Sequence, residues 1–562
     1  MKKELTRRDF MKGAAGVAAG AAALGVLGAC SQPADGTTQA ASQTAAQAGS
    51  SADEMLDEAP SSGYSWEKAP EPIPDSEIKE TVEADIVIVG AGIAGVTAAL
   101  RASELGAEVA VVEKASFPSS RGGHYAAYQS KAMTKANMTN DSKDEIAADW
   151  LRMCGNRCDQ KLIYLFLDRS SEVMDWLDDM SGDALNIIPI QTHYVGKTYY
   201  EHIGTHVIRG SFDDNENNIS APVFFMWKKA EENGVVFHFD SAAEQLVKDG
   251  EKVSAVIVKD ADGYKKYVGK KAIILATGDI SGDDEMLKAY GGELGLLAEA
   301  RAYTPYGMNT GDGHKMGMWA GGHMEMGPFP TMIHLIRYCS LCFGFLHVNA
   351  KGRRFMNEDT WIQAKSIQIL KQAGGNEYAY SIFDSNWKKD VAEQIPLAGG
   401  QFWDNMSRLA DEEWTPDSAE KIIEGALENG NAFKADSLEE LAELMDVDKD
   451  DFLAAVENYN NMYDQGEDTE FHKRAELLSP IKEGPFYALK FGPSLLVVPG
   501  GLEINEKLQV VDDDREPIPG LYAIGNVSGG RYGVDYPVTI NGNSHGSAMT
   551  WGYVAAENIL NA

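Results

Sequence analysis

Only five of the 562 residues are cysteine, and basic side chains are scarce beside acidic ones, 50 Lys and Arg against 85 Asp and Glu. So few thiols in so long a chain do not make a disulfide scaffold, and the fold must rest on a hydrophobic core, which 44% apolar residues can supply. A formal net charge of −35 repels phosphate backbones and excludes nucleic acid as a partner. No Cys-x-x-Cys-His occurs, so the chain attaches no c-type haem. The uncharged stretch from Gly13 to Ala29 has 17 residues, mostly Ala and Gly, too short and too mildly apolar for a membrane-spanning helix. The acids are densest from Asp436 to Glu470, where apolar residues still recur at helical spacing, the pattern of solvated helix faces.

What is present begins with an address. Thr6-Arg7-Arg8-Asp9-Phe10-Met11-Lys12 before the mild apolar run reads as a Tat export signal over residues 1–30, a route that carries folded proteins. Leu27-Gly28-Ala29-Cys30 reads either as a lipobox, with Cys30 as the lipid anchor and sole membrane attachment, or as a plain peptidase site. This places the protein in the periplasm or on the outer face of the cell membrane. Residues 31–80, rich in Ser, Ala, Gln and Thr at their start, read as a flexible tether. Of the other cysteines, Cys154 and Cys158 have three residues between them and Cys339 and Cys342 two; four thiolates suffice for an iron–sulfur cluster or zinc, but the pairs are far apart in sequence, and the better reading is buried free thiols with no metal centre. Cys154 and Cys158 fall in what reads as one helix running to Trp176.

The first chemical motif follows the tether. Ala84 to Val89 is a β-branched run suited to a buried parallel strand. It enters Gly90-Ala91-Gly92-Ile93-Ala94-Gly95, then a helical stretch to Leu105, then a strand from Glu108 to Val112 ending at Glu113. With strand before, helix after and an acid about 20 residues on, this is a dinucleotide cradle. Gly90, Gly92 and Gly95 let backbone approach a pyrophosphate, Ala91 lies between them, and Glu113 takes the ribose hydroxyls.

Further small-residue turns recur downstream: Ser119-Ser120-Arg121-Gly122-Gly123-His124, the strand Ala272 to Leu275 ending in Ala276-Thr277-Gly278, Thr310-Gly311-Asp312-Gly313, and Pro519 to Asn526. In this order and spacing, from about Glu83 onward, the chain resembles the flavoprotein family of fumarate reductase, urocanate reductase and 3-ketosteroid Δ1-dehydrogenase. The resemblance implies FAD as cofactor, held by Gly90, Ala91, Gly92, Gly95, Glu113, Lys114, Ser120, Gly122, Gly123, Ala276, Thr277, Gly278, Asp312, Asn526, Asn543 and Ser544. It also implies an α/β fold, a Rossmann-like FAD-binding domain made by both ends of the chain, 81–324 and 481–562. Between them an α+β capping domain, 325–480, closes on the flavin. Val348-Asn349-Ala350-Lys351-Gly352-Arg353-Arg354-Phe355-Met356-Asn357-Glu358 matches a cap segment of that family.

The departures from the family are specific. The cap arginine that donates a proton in fumarate reductases falls at Ile362, the histidine of His-Pro-Thr at Phe329, the arginine of the C-terminal segment at about Thr539, and a further histidine among Leu496 to Val498. A dicarboxylate in such a site has no cationic partner, an expensive arrangement when water is excluded. Tyrosines stand instead. Tyr338 falls where the family's proton path has a glutamate, and Tyr536-Pro537 resembles the Tyr-Pro with which ketosteroid dehydrogenases polarise a carbonyl. Tyr338 is therefore expected as proton donor, Tyr536 as carbonyl ligand, and Arg337 with His334 as orienting groups; His124 and His545 stand next to the flavin-facing turns. The expected activity is FAD-dependent reduction of a C=C bond in a small conjugated substrate, an enone, aryl-acrylate or steroid-like molecule but not fumarate. With no second nucleotide site, electrons are expected from another protein, a membrane-linked cytochrome c or FMN protein, as in anaerobic respiration. Dehydrogenation of a ketosteroid-like substrate uses the same site in reverse, and a lipoprotein that binds flavin or ligand without turnover is the non-enzymatic alternative.

Overall fold

Five parallel strands carry the first layer. In a computed structural model that describes residues 63–561 apart from 121, 191–200, 212–214, 216, 218, 299–300, 302–307, 340–343, 373–376, 399–415 and 538, they lie in the order Val236–His238, Val109–Val112, Ile78–Val89, Gly263–Leu275, Pro517–Ala523. The export signal, Cys30, most of the tether, Arg121 and Cys342 lie outside the described residues. Ile86, Val87 and Ile88 are wholly buried, as strands covered on both faces must be. The helices Ile93–Glu104 and Asn543–Leu560 pack together, and Gly552 permits it: a Cβ there would sit 2.5 Å from the Ala94 carbonyl oxygen. A strand and a helix from the C-terminal end thus complete the sheet begun at Ile78, in an α/β fold.

The second layer is an antiparallel sheet in the order Met332–Tyr338, Phe486–Val497, Ala379–Phe383, Leu346–Asn349, with Ala432–Ala435 also paired to Phe486–Val497. This shifts both expected cap boundaries. Phe486–Val497 belongs to the cap sheet because it is bonded along both edges, so the chain returns to the first domain after Val497 and not at 481. At the other boundary Glu325 is tied to the first domain, accepting the backbone N–H groups of Gly501 at 2.9 Å and Gly530 at 2.8 Å. The acidic stretch forms the helices Leu438–Met445 and Lys449–Gln465, whose apolar sides are buried.

Two further expectations are corrected. The tether does not extend to 80: Trp66, 7% exposed, packs against Tyr290 and offers its carbonyl to Trp319 Nε1 at 2.9 Å, and the first strand begins at Ile78. Two aromatic rings, Tyr64 stacked on Trp66, bury enough apolar surface to hold this polar segment down. The single helix through Cys154 and Cys158 is two, Lys143–Met153 and Gln160–Ser181, broken where Gly155 and Asn156 turn left-handed at φ 64° and 57°.

Inside the cap, the Arg354 side chain is 2% exposed between Glu358 Oε2 and Asp468 Oδ2, both at 2.8 Å, and Lys473 Nζ lies 3.6 Å from Glu358. Arg354→Met strands two buried carboxylates and is expected to destabilise the protein by about 3–5 kcal/mol, read as a lower urea midpoint. Burial pushes the Asp468 carboxyl up, but the Arg354 hydrogen bond and the N–H groups of Lys473 and Phe471 outweigh it and hold it well below the usual range. Its contribution is therefore complete above the unfolded carboxyl value of about 3.9 and is lost as pH falls. Wild-type stability should drop in acid more steeply than that of the variant.

Candidate active site

The carboxyl ends of the parallel strands form the cradle. Gly90 takes φ 108°, with the Ala276 carbonyl oxygen 2.5 Å from where a Cβ would stand, so the first strand and the Ala276-Thr277-Gly278 turn meet backbone to backbone. A Cβ on Gly95 would lie 1.9 Å from the Gly90 carbonyl oxygen, so only glycine lets the helix start this close to the strand. Gly92, by contrast, faces open space, with Ser119 O at 3.6 Å its nearest neighbour, and it begins the helix Ile93–Glu104 with no side-chain cap.

Glu113 accepts the Ala91 N–H at 2.7 Å and the Ala115 N–H at 2.8 Å, and burial raises its pKa despite these bonds. Lys114 Nζ reaches both Asp312 Oδ2 and Thr310 Oγ1 at 2.8 Å, joining two of the expected cofactor turns. Ser120 bonds Ser220 at 2.7 Å; Gly122, at φ 81°, faces the His545 ring; Gly123 leads into the short strand His124–Ala126. Gly278 turns at φ 81°, and the buried Thr277 hydroxyl beside it has no hydrogen-bond partner among the described residues. Asn526 Oδ1 accepts the Ser544 hydroxyl at 3.0 Å, and Asn543 Oδ1 accepts the Tyr532 hydroxyl at 2.7 Å. The helix Asn543–Leu560 likewise starts with no side-chain cap. Open space above Gly92, an orphaned buried hydroxyl at Thr277 and two uncapped helix N-termini are what FAD, with its pyrophosphate and polar ring edge, requires.

A cleft of about 150 Å³ opens at the seam between the layers, lined by Met153, Asp535 and Tyr536 on one side and Trp361, Gln363, Ala364, Ile367 and Gln368 on the other. The second group comes from the helix Ile362–Leu370 and its N-cap Trp361; Ile362 itself is buried. Gln363 Nε2 donates to Asp535 Oδ1 at 2.7 Å across the seam. The Tyr536 hydroxyl accepts the Ser544 N–H at 3.1 Å and shares a hydrogen bond with Tyr532. Burial, with Tyr532 beside it, raises the Tyr536 phenol well above its usual value, so it stays protonated throughout the physiological range. Among the described residues, no lysine, arginine or histidine lines this cleft. Phe329 is stacked on Tyr290, and Thr539 is buried beside Met153, so neither position supplies a cation.

Tyr338 and Arg337 stand elsewhere. Tyr338 sits at φ 72° in the cap sheet opposite Phe491, its ring under Lys490 Nζ at 4.4 Å and edge-on to Tyr378. Arg337 pairs with Glu377 at 2.6 Å. Neither lines the cleft with Tyr536, because strand pairing to Phe486–Val497 turns this end of Met332–Tyr338 into the cap. His334 is buried and kept neutral, burial and the nearby His124 taking its pKa to about 3. The residues missed from sequence are Asp535, Gln363 and Trp361. Asp535 could have been suspected from an acid placed directly before Tyr536-Pro537; Gln363 and Trp361 carried no local signal.

Residues 85–542 match the family of the FAD binding domain, and residues 4–25 match the twin-arginine translocation signal sequence. The chain is 27% identical over 492 residues to the probable fumarate reductase Ifc3 of Shewanella frigidimarina, covering 84% of this chain and 74% of that protein. It is 24% identical over 499 residues to the vinyl phenol reductase of Lactiplantibacillus plantarum, covering 84% and 96%. Among solved structures, the 3-ketosteroid Δ1-dehydrogenase of Sterolibacterium denitrificans in complex with 1,4-androstadiene-3,17-dione superposes at a TM-score of 0.65 with 20% identity, covering 85% and 99%, a likeness of fold.

Proposed function

Because this chain belongs to the FAD binding domain family and is an exported FAD-dependent oxidoreductase, we propose that it reduces the C=C bond of a neutral or singly charged conjugated substrate bound in the seam cleft. The observation that carries this reading is the absence of any cation among the described residues that line the cleft. A dicarboxylate would enter without partners, whereas an enone, aryl-acrylate or steroid-like molecule matches Trp361, Met153, Ile367 and Ala364 with a few polar groups. Bound FAD supplies the hydride for such a reduction. The residues of the chain do the rest: the cap helix and Trp361 exclude water, and the Tyr536 hydroxyl donates to a substrate carbonyl as negative charge develops there. Tyr338 and Arg337 have no part in this reading, since neither lines the cleft. Electrons come from a separate protein, and a lipid at Cys30 would keep the enzyme beside a membrane-linked donor.

The test is anaerobic oxidation of reduced methyl viologen with cinnamate, 4-vinylphenol, cyclohex-2-enone, androst-4-ene-3,17-dione and fumarate. Turnover with at least one of the first four and none with fumarate is expected. Efficient fumarate reduction overturns the reading, because it demands cationic partners that the described lining of the cleft lacks.

A further inference from the structure

We propose that Asp535 is the proton donor of the seam cleft, held in position from across the seam by Gln363. This rests on the ene-reduction reading and gives it the acid that the sequence sought at Tyr338. Asp535 lines the cleft directly beside Tyr536. Both of its hydrogen bonds converge on one oxygen: Oδ1 accepts Gln363 Nε2 at 2.7 Å and the Tyr536 N–H at 2.8 Å, which leaves Oδ2 for a ligand. Gln363 is itself 4% exposed and lines the same cleft, and its Oε1 is buried without a hydrogen-bond partner among the described residues, so the amide is held in place with its other end fixing the acid. The carboxyl therefore has a fixed rotamer, a free oxygen and a position beside the group expected to hold the substrate carbonyl, the geometry a general acid needs.

Its surroundings keep the proton available. Burial is the largest influence and raises the carboxyl to about 6, against the Tyr536 N–H and the Gln363 amide, which pull it down. Apart from Asp535, the only titratable group among the described residues lining the cleft is Tyr536. Tyr532 lies behind Tyr536, the Cys154 thiol reaches the Asp535 backbone carbonyl at 3.6 Å, and Arg157 packs against Gly533. An acid poised near working pH both holds and releases a proton, which a phenol raised well above its usual pKa does poorly. In the step, the C=C π bond is lost, one C–H bond forms with the hydride, and the other forms with the proton from Oδ2. The carboxylate left behind is reprotonated from water, and the two electrons are restored by the external donor.

The experiment uses the FAD-loaded protein with reduced methyl viologen and whichever of cinnamate, 4-vinylphenol, cyclohex-2-enone or androst-4-ene-3,17-dione turns over; none of these titrates between about pH 5 and 8. For the wild type, kcat should fall as pH rises through about 6, because only the protonated acid delivers. Asp535→Asn keeps an acceptor at Oδ1 but has no acidic proton, and kcat should fall roughly 10²-fold with flavin content and KM little changed and the pH limb gone. Gln363→Leu removes a bond that favours the carboxylate, so its limb should move to higher pH. Flat wild-type kcat through this range, or Asp535→Asn within a few-fold of wild type, overturns the proposal and leaves the ene-reduction reading standing. If the wild type reduces none of the four substrates, the ene-reduction reading fails and takes this proposal with it.

Discussion

Gly92→Val is expected to give a folded protein that purifies without FAD. Gly92 has an ordinary φ of −73°, and its Cβ position meets nothing nearer than Ser119 O at 3.6 Å, so the polypeptide tolerates a side chain there. The ligand does not. The space above Gly92 is where backbone N–H groups of an uncapped helix start must approach a pyrophosphate, and an isopropyl group holds the anion away from them. Gly95→Val is the control of opposite kind: its Cβ would strike the Gly90 carbonyl at 1.9 Å, so loss of fold accompanies loss of flavin. Glu113→Ala falls between, because its carboxylate also holds the Ala91 and Ala115 N–H groups and its removal loosens the turn as well as the ribose contact. Flavin absorbance per mole of protein, with circular dichroism melts of each variant, separates the three. Full flavin in Gly92→Val removes the cradle from the binding site.

Tyr536→Phe is expected to lower turnover roughly 10²- to 10³-fold while flavin content stays the same. The ring packs against Tyr532 with centroids 5.2 Å apart, and Phe preserves that contact. Two things are lost. One is a hydroxyl proton that a substrate carbonyl can take from the Tyr532 bond as charge builds on its oxygen. The other is the acceptor for the Ser544 N–H, at the start of the last helix. The second loss has a stability cost of about 1–3 kcal/mol and would appear in thermal melts; the first appears in kcat alone. A variant that melts lower yet turns over at the wild-type rate would show that the hydroxyl serves the helix and not the substrate.

The two tyrosines show how far a motif can be carried. Tyr536 keeps company with Ser544 and Asn543 because all three fall within one short segment, so its place at the cleft followed from sequence order. Tyr338 matches the family's proton-path position by its place in the sequence alone, and sequence position does not give strand direction. Pairing to Phe486–Val497, Lys490 above the ring and Arg337 tied to Glu377 put it in the cap. The tether boundary failed for a related reason: a polar stretch with one Tyr and one Trp looks unstructured until a partner ring, Tyr290, is known to lie opposite.

By itself, the sequence determined the export signal, the α/β fold of the first domain and FAD as the cofactor. Each of these is written in contiguous residues, whose strand, turn and helix are dictated by β-branched runs and by glycines at backbone contacts. Tertiary structure alone decided where the cap ends, which aromatic residues border the cleft, and that Gln363 meets Asp535 172 residues away in the chain. A hydrogen bond across a seam has no period and no local spacing. It exists only once two separately packed layers bury their faces against each other, and the polar groups caught between them must then find partners or remain open to a ligand.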